Sequence, residues 1–182
     1  MHTNKNIINL SKFLSLVLRH QPQTIGIELD ENGWTDVQKL IQKMNDYGKT
    51  INLKTLKEVV ENNDKKRFAF DESGTKIRAN QGHSVKIDLG YTAQEPPKIL
   101  YHGTATRFLS SIYQTGLQKR QRHHVHLSRD LETATKVGKR HGKLVILEVA
   151  AKAMHQAGHP FFISENGVWL TDRVPVQYLK QR

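Results

Sequence analysis

Apolar positions in the first half of the chain recur at helical spacing and then give way to alternation. Ile7, Leu10, Leu14, Val17 and Leu18 fall at steps of three and four, with Phe13 widening the face. This spacing predicts an amphipathic helix that Pro22 ends, leaving Arg19 and His20 at its last turn. Ile25, Ile27 and Leu29 alternate as a short strand ahead of an Asn32-Gly33 turn. Thr35 is positioned to cap a second helix carrying Val37, Leu40, Ile41 and Met44, which Gly48 would close. Leu53, Leu56, Val59 and Val60 mark a third helix. Phe68 and Phe70, then Ser73-Gly74, then Ile77 and Ala79 read as a hairpin. Three helices followed by a two-stranded wing suggest a winged-helix module, a variant of helix-turn-helix. Modules of this kind bind nucleic acid or only mediate protein contacts.

After Glu95-Pro96-Pro97, a stiff stretch that reads as a linker, strands dominate. "KILYH" (98–102) reads as a strand and Thr106 to Gly116 as a helix with a glycine cap. "VHLS" (125–128) reads as a strand, and Asp130 can cap a helix through Ala134 and Val137. "LVILEV" (144–149) looks like a fully buried strand, and "PFFISENGVWLTD" (160–172) like a hairpin around Asn166-Gly167. The fold class expected is α+β in two small domains, residues 1–92 and 93–182.

Composition narrows the chemistry. The 182 residues include no cysteine, which excludes disulfides, thiolate nucleophiles and cysteine-ligated zinc, and a reducing compartment fits. The N-terminal segment lacks an uninterrupted apolar core and a small-residue cleavage site, so it reads as an amphipathic helix and not a signal peptide. No apolar run reaches membrane-spanning length, and the cytoplasm is the expected location, with no membrane partner. A net charge of +11 points to a polyanionic partner. Residues 1–92 hold 14 Lys/Arg against 11 Asp/Glu, whereas residues 93–182 hold 14 against 6, so the excess lies mainly in the second half. Lys119, Arg120, Arg122, Arg129, Lys136, Lys139 and Arg140 crowd one stretch, which favours phosphate binding over a basic surface kept for solubility.

Within that stretch, "RHHVHLSRD" (122–130) holds three histidines. If 122–128 is extended, Arg122, His124, His126 and Ser128 share one face while His123, Val125 and Leu127 take the other. A His-x-His pair can bind zinc, but a site needs a third ligand and a nearby carboxylate. Arg120, Arg122 and Arg129 repel a cation instead, so no metal is expected. His123 and His124 read as incidental, solvated side chains. A further reading pairs "HGT" (102–104) with "HLS" (126–128). Two such tripeptides resemble the 2H phosphoesterases, in which paired histidines act as general acid and base on a cyclic phosphate. Gly103 departs from that pattern, and the two motifs lie unusually close together.

"LRHQP" (18–22), "KKRFAF" (65–70), "IRANQGHS" (77–84), "LYHGT" (100–104), "RHHVHLS" (122–128) and "NGVWLT" (166–171) occur in this order. Together they resemble the NAD-dependent RNA 2′-phosphotransferase family, of the tRNA 2′-phosphotransferase type. The resemblance implies a winged-helix-like RNA-binding lobe and an ADP-ribosyltransferase-like, mixed β NAD-binding lobe, with the active site in the cleft between them. The implied reaction removes an internal 2′-phosphate from RNA, as at a tRNA splice junction, through an ADP-ribosylated 2′-phosphate intermediate. It yields 2′-OH RNA, nicotinamide and ADP-ribose 1″,2″-cyclic phosphate. By motif position the catalytic set falls on Arg19, His20, Arg67 and Arg122. Contacts to NAD, consumed as co-substrate, fall on His102, Gly103, Thr104, His126 and Ser128. Arg78, Gly82, His83 and Ser84 fall on the RNA side. ADP-ribosylation of terminal phosphates is a side activity the resemblance leaves open, and a monomer is the default state.

The chemistry agrees with that assignment. A 2′-phosphomonoester carries nearly two negative charges near neutral pH. It is already an ionised nucleophile and needs orientation and partial neutralisation more than a general base. Forked guanidiniums supply both better than ammonium groups do. Expelling the RNA 2′-hydroxyl in the second step builds charge on phosphoryl and leaving oxygens, where fixed cations act most strongly. His20 can serve as a phosphate ligand or a proton carrier, since its reference pKa lies near neutrality. No glutamate is placed to activate an acceptor: Glu148 falls in an apolar strand and Glu165 beside a turn. Plainer roles remain for single residues. Arg19 and His20 could complement a helix dipole, Arg67 could be one more solvated charge, and Trp169 reads as core. A basic module that only docks on RNA is the remaining alternative.

Overall fold

The structure, a computed structural model, describes residues 4–63 and 65–182, which fall into two compact units, Met1–Gly90 and Tyr91–Arg182. Met1–Thr3, part of the segment read as an amphipathic N-terminus, lie outside the described residues.

In the first unit, helix α1 (Asn4–Arg19) lays Leu10, Leu14, Val17 and Leu18 into the core. Pro22 then opens a short 3₁₀ turn, Pro22–Thr24. The strand expected at Ile25–Leu29 does not form. Gly26 takes a φ of +67° and breaks the alternation, although Ile25 and Ile27 are still buried. Pairing begins later, at β1 (Thr35–Asp36). Because Thr35 is held in that strand opposite Ile77, the cap of α2 (Val37–Asp46) passes to Asp36, whose carboxylate accepts from Lys39 N at 2.7 Å. Helix α3 (Leu53–Glu61) is capped by Asn52, which accepts from Thr55 N at 2.8 Å. Strands β2 (Phe68–Phe70) and β3 (Lys76–Ala79) form the expected hairpin, with Phe68 opposite Ala79 and Phe70 opposite Ile77. The antiparallel sheet has three strands, not two, in the order β1-β3-β2. Leu14, Leu18, Leu40, Met44, Leu56 and Ile77 are wholly buried in the core of this unit. Each such side chain contributes roughly 2 kcal/mol of transfer free energy.

The second unit begins earlier than the Pro-Pro stretch suggested. Ala93 bridges to Phe162, Gln94 N donates to Phe161 O at 2.8 Å and Glu95 pairs with Lys152 at 3.0 Å. Pro96 is buried, so 93–97 packs onto this unit instead of linking two. Strand β4 (Leu100–Ala105) leads through a 3₁₀ turn (Thr106–Phe108) into α4 (Leu109–Thr115). Next come β5 (Leu117–Gln118), β6 (Val125–Leu127) and α5 (Leu131–Gly138), the last capped by Asp130 as expected. A 3₁₀ turn (Lys139–His141) leads to β7 (Leu144–Val149) and α6 (Ala151–Gln156). Strands β8 (Phe161–Ile163), β9 (Trp169–Thr171), β10 (Arg173–Val174) and β11 (Leu179–Gln181) complete the unit. Three antiparallel sheets result, ordered β11-β7-β4, β6-β9-β8 and β10-β5. Strand β7 is not buried throughout. Val145, Leu147 and Val149 enter the core while Leu144, Ile146 and Glu148 are half-buried, because a strand paired on both edges still has two unequal faces. Trp169 lies in the core, as its sequence context suggested.

Candidate active site

The first unit gathers four of the expected site residues. Helix α1 delivers Arg19 and His20 where Pro22 stops it, and the chain then returns to the same place from the far side of the hairpin. Ser84 N donates to Arg19 O at 2.9 Å, and Ser84 Oγ shares a hydrogen bond with His20 Nδ1 at 3.0 Å. Arg19 Nη2 donates to the carbonyl of Arg67 at 3.5 Å, with its guanidinium 5.9 Å from the Phe68 ring. Residues separated by nearly fifty positions or more in sequence thus meet at one helix end.

Two buried asparagines hold Arg67 there. Asn63 Oδ1 accepts from Arg67 Nη1 at 2.9 Å and from Lys65 N at 3.2 Å, while its Nδ2 donates to Ser11 Oγ at 3.3 Å. Asn80 N donates to Arg67 O at 2.8 Å, and Asn80 Nδ2 to Lys66 O at 2.7 Å. Lys66 between them adopts a φ of +41°, a left-handed conformation kept by its surroundings. Neither asparagine stands out in the sequence. The available signal was the polar Asn62-Asn63 pair closing α3, a turn signature whose buried contacts no sequence pattern shows.

Of the residues expected on the RNA side, only Ser84 is exposed. Arg78 is 9% and His83 1% exposed. The Arg78 guanidinium lies 4.5 Å from the Trp34 ring centre and donates to Asn32 O at 3.4 Å. Gly82 takes a φ of +85°, the left-handed bend that swings the chain toward His83 and Ser84.

The second unit gathers the other set. Tyr101 and Ser128 exchange backbone hydrogen bonds, each 2.8 Å, and so join β4 to the end of β6. That bridge places His102 beside His126, and His102 Nδ1 donates to the His126 carbonyl at 3.1 Å. The donation fixes the tautomer, leaving Nε2 of a neutral His102 as an acceptor. Burial pushes His102 below its ordinary pKa; the bond to the carbonyl opposes this, and the nearby charges of His141 and Arg122 add to it. Arg122 Nη1 donates to His126 Nδ1 at 3.4 Å. No carboxylate neutralises Arg122 among the described residues.

The extended reading of 122–128 needs correction. Pairing begins only at Val125, and 120–124 form turns and bends, with Arg122 N donating to Lys119 O at 3.0 Å. Alternation therefore does not assign faces to Arg122 or His124. Arg122 reaches His126 by folding back along the bend, while His124 turns to the ring of Phe162, 5.5 Å away. Arg120, at a φ of +53°, is where the chain departs from strand geometry.

Gly103 and Thr104, expected at the dinucleotide, are both buried. A Cβ on Gly103 would come within 1.8 Å of the Ala134 carbonyl oxygen, and one on Gly138 within 3.0 Å of Gly103 Cα. The two glycines let α5 lie directly on β4, so the geometry gives Gly103 a packing role. No group of three or more His, Cys, Asp or Glu side chains able to hold a metal occurs among the described residues.

Guanidiniums and imidazoles collected at helix ends and bends, on a mixed helix-and-sheet scaffold, have the chemistry that suits anionic, phosphorylated ligands. The comparisons make this specific. The model of the family described as RNA 2'-phosphotransferase, Tpt1 / KptA family, matches residues 5–173, and the chain belongs to that family. It is 54% identical to a "Probable RNA 2'-phosphotransferase" of Flavobacterium johnsoniae over 97% of this chain and 98% of that protein. A protein of the same description from Rhodopirellula baltica is 54% identical over 98% of each chain. Another, from Hahella chejuensis, is 54% identical over 97% of this chain and 95% of its own length. The match spans both units, which a cofactor-independent 2H pairing or a docking-only module would not account for. The chain is an enzyme of the transferase class, acting on RNA 2′-phosphate.

Proposed function

We propose that this enzyme removes an internal 2′-phosphate from RNA by transferring it to NAD, with Arg19, His20, Arg67 and Arg122 on the phosphate. The carrying observation is the convergence of Arg19, His20, Arg67 and Ser84 at the end of α1, tied by bonds of 2.9 to 3.5 Å. A phosphomonoester dianion in their reach would meet two forked cations and an imidazole whose Nδ1 is already oriented by Ser84. The phosphate contact of His20 then falls to Nε2. By motif position Arg122 is the third guanidinium of the set.

NAD supplies an activated ribosyl carbon whose nicotinamide leaves. The donor set of the second unit suits such a co-substrate. The neutral His102 offers Nε2 to a ribose hydroxyl, and His126 and Ser128 sit one strand away. Winged-helix-like and ADP-ribosyltransferase-like are our readings of the two units, over 1–92 and 93–182. Three helices with an antiparallel wing support the first, and small antiparallel sheets joined at Tyr101–Ser128 support the second.

The test is release of nicotinamide from NAD on addition of 2′-phosphorylated RNA. Wild type should release it in step with phosphate removal, Arg122→Ala should lose at least a hundredfold in kcat, and Arg122→Lys should recover little, since an ammonium cannot replace a fork. Phosphate removal equally fast without NAD would overturn the proposal.

A further inference from the structure

A second cationic surface lies on the second unit, apart from the residues assigned above. Phe108, only partly buried on the core, is flanked by two guanidiniums and an imidazole. The Arg107 guanidinium carbon lies 4.8 Å from its ring centre, that of Arg120 5.8 Å, and the His141 ring stands edge-on at 6.5 Å. The turn holding Arg140 and His141 is fastened to the same place, because Thr106 N donates to Lys143 O at 3.0 Å. Arg107, Arg120, Arg140 and Lys143 are all exposed. None pairs with a carboxylate among the described residues, whereas Lys119 and Lys136 in the same half pair with Asp172 and Glu132.

We infer that this patch around Phe108 binds the phosphodiester backbone of the RNA substrate, with the Phe108 ring available to stack a base. The inference rests on the enzyme's acting on RNA. Like charges gathered without acidic partners repel one another, and a polyanion relieves that repulsion while releasing its own counterions. Cations from three separate chain segments are more than one diphosphate needs, which favours an extended strand over the dinucleotide. A flanked aromatic ring beside such cations is the pairing that single-stranded nucleic acid uses. The turn carrying His141 packs on the strand carrying His102, so the phosphates of NAD are the competing occupant.

The triple variant Arg107→Gln/Arg120→Gln/Lys143→Gln alters only exposed side chains and should fold. Fluorescence anisotropy with a 2′-phosphorylated stem-loop RNA should show affinity reduced about tenfold at moderate salt. The slope of log affinity against log salt should fall by roughly two, about 0.7 per lost single-strand phosphate contact. Affinity for NAD should be unchanged. Phe108→Leu, which keeps the apolar packing, should weaken binding of single-stranded RNA about tenfold. Weakened NAD binding with RNA affinity intact would overturn the inference in favour of the dinucleotide, and no change in either would show a merely solvated face. Anisotropy involves no chemistry, so absence of nicotinamide release by the wild type would count against the enzymatic proposal and not against the patch.

Discussion

His102 donates from Nδ1 to the backbone carbonyl of His126, 3.1 Å away, and this one bond sets what both strands offer a ligand. Burial keeps the imidazole neutral, and the bond leaves Nε2 as the acceptor, on a strand pair registered by the Tyr101–Ser128 bridge. An asparagine amide can take the place of Nδ1–H but not of Nε2. His102→Asn should therefore retain the melting temperature while raising KM for NAD about tenfold, the cost of roughly one hydrogen bond. Unchanged KM would show that Nε2 meets no part of the co-substrate.

Acid should destabilise the second unit through two histidines. Burial lowers the pKa of His102, and burial followed by the charges of His123 and Lys119 lowers that of His124. The unfolded chain, with ordinary histidines near 6.5, then binds protons first as pH falls. The sign is fixed by linkage: stability is full above about pH 6.5 and declines as pH drops from there through the depressed folded values. Urea midpoints measured from pH 7.5 down to 5 should fall, and the fall should shrink in His102→Asn. A flat profile would show that neither imidazole is desolvated in solution.

Asn63 grips the Arg67 guanidinium at 2.9 Å without being placed on the substrate itself. Asn63→Ala removes that grip and the hydrogen bond that Asn63 accepts from Lys65 N. The expected result is a tenfold to hundredfold fall in kcat, of the order that loosened orientation produces, with KM for NAD unchanged. A lower melting temperature with kcat intact would confine Asn63 to holding the loop.

How far the sequence foretold this site depended on the range of the contacts involved. Helix α1, its stop at Pro22, the Phe68–Ala79 hairpin and the Asp130 cap are local events, written in spacing and turn residues. The meeting of Ser84 with Arg19 and His20 is not local, and only the order of motifs hinted at it. Errors came where one residue outweighed a pattern. Gly26 cancelled an apparently alternating strand, and the bend at Arg120 removed the parity argument for Arg122. The buried roles of Asn63 and Asn80 were invisible, because a buried asparagine and a turn asparagine look alike in one dimension.

Gly103 shows the same point in a form that can be measured. An isolated glycine in a strand signals a close backbone approach, yet its place in the "HGT" motif suggested a ligand contact instead. In the structure Gly103 lies under α5, where a Cβ would stand 1.8 Å from the Ala134 carbonyl oxygen and 2.8 Å from Gly138 N. Both obstacles are backbone, so no rotamer change relieves them, and α5 must lift from β4. Gly103→Ala should cost about 3 kcal/mol or more of stability, at or beyond the upper end for overpacked cores. The loss should appear as a lower urea midpoint. Gly138→Ala meets Leu144 Cδ1 as well as Gly103, and a leucine methyl can move, so its loss should be smaller. If Gly103→Ala instead retained the wild-type midpoint and raised KM for NAD, the glycine would be serving the ligand and not the helix.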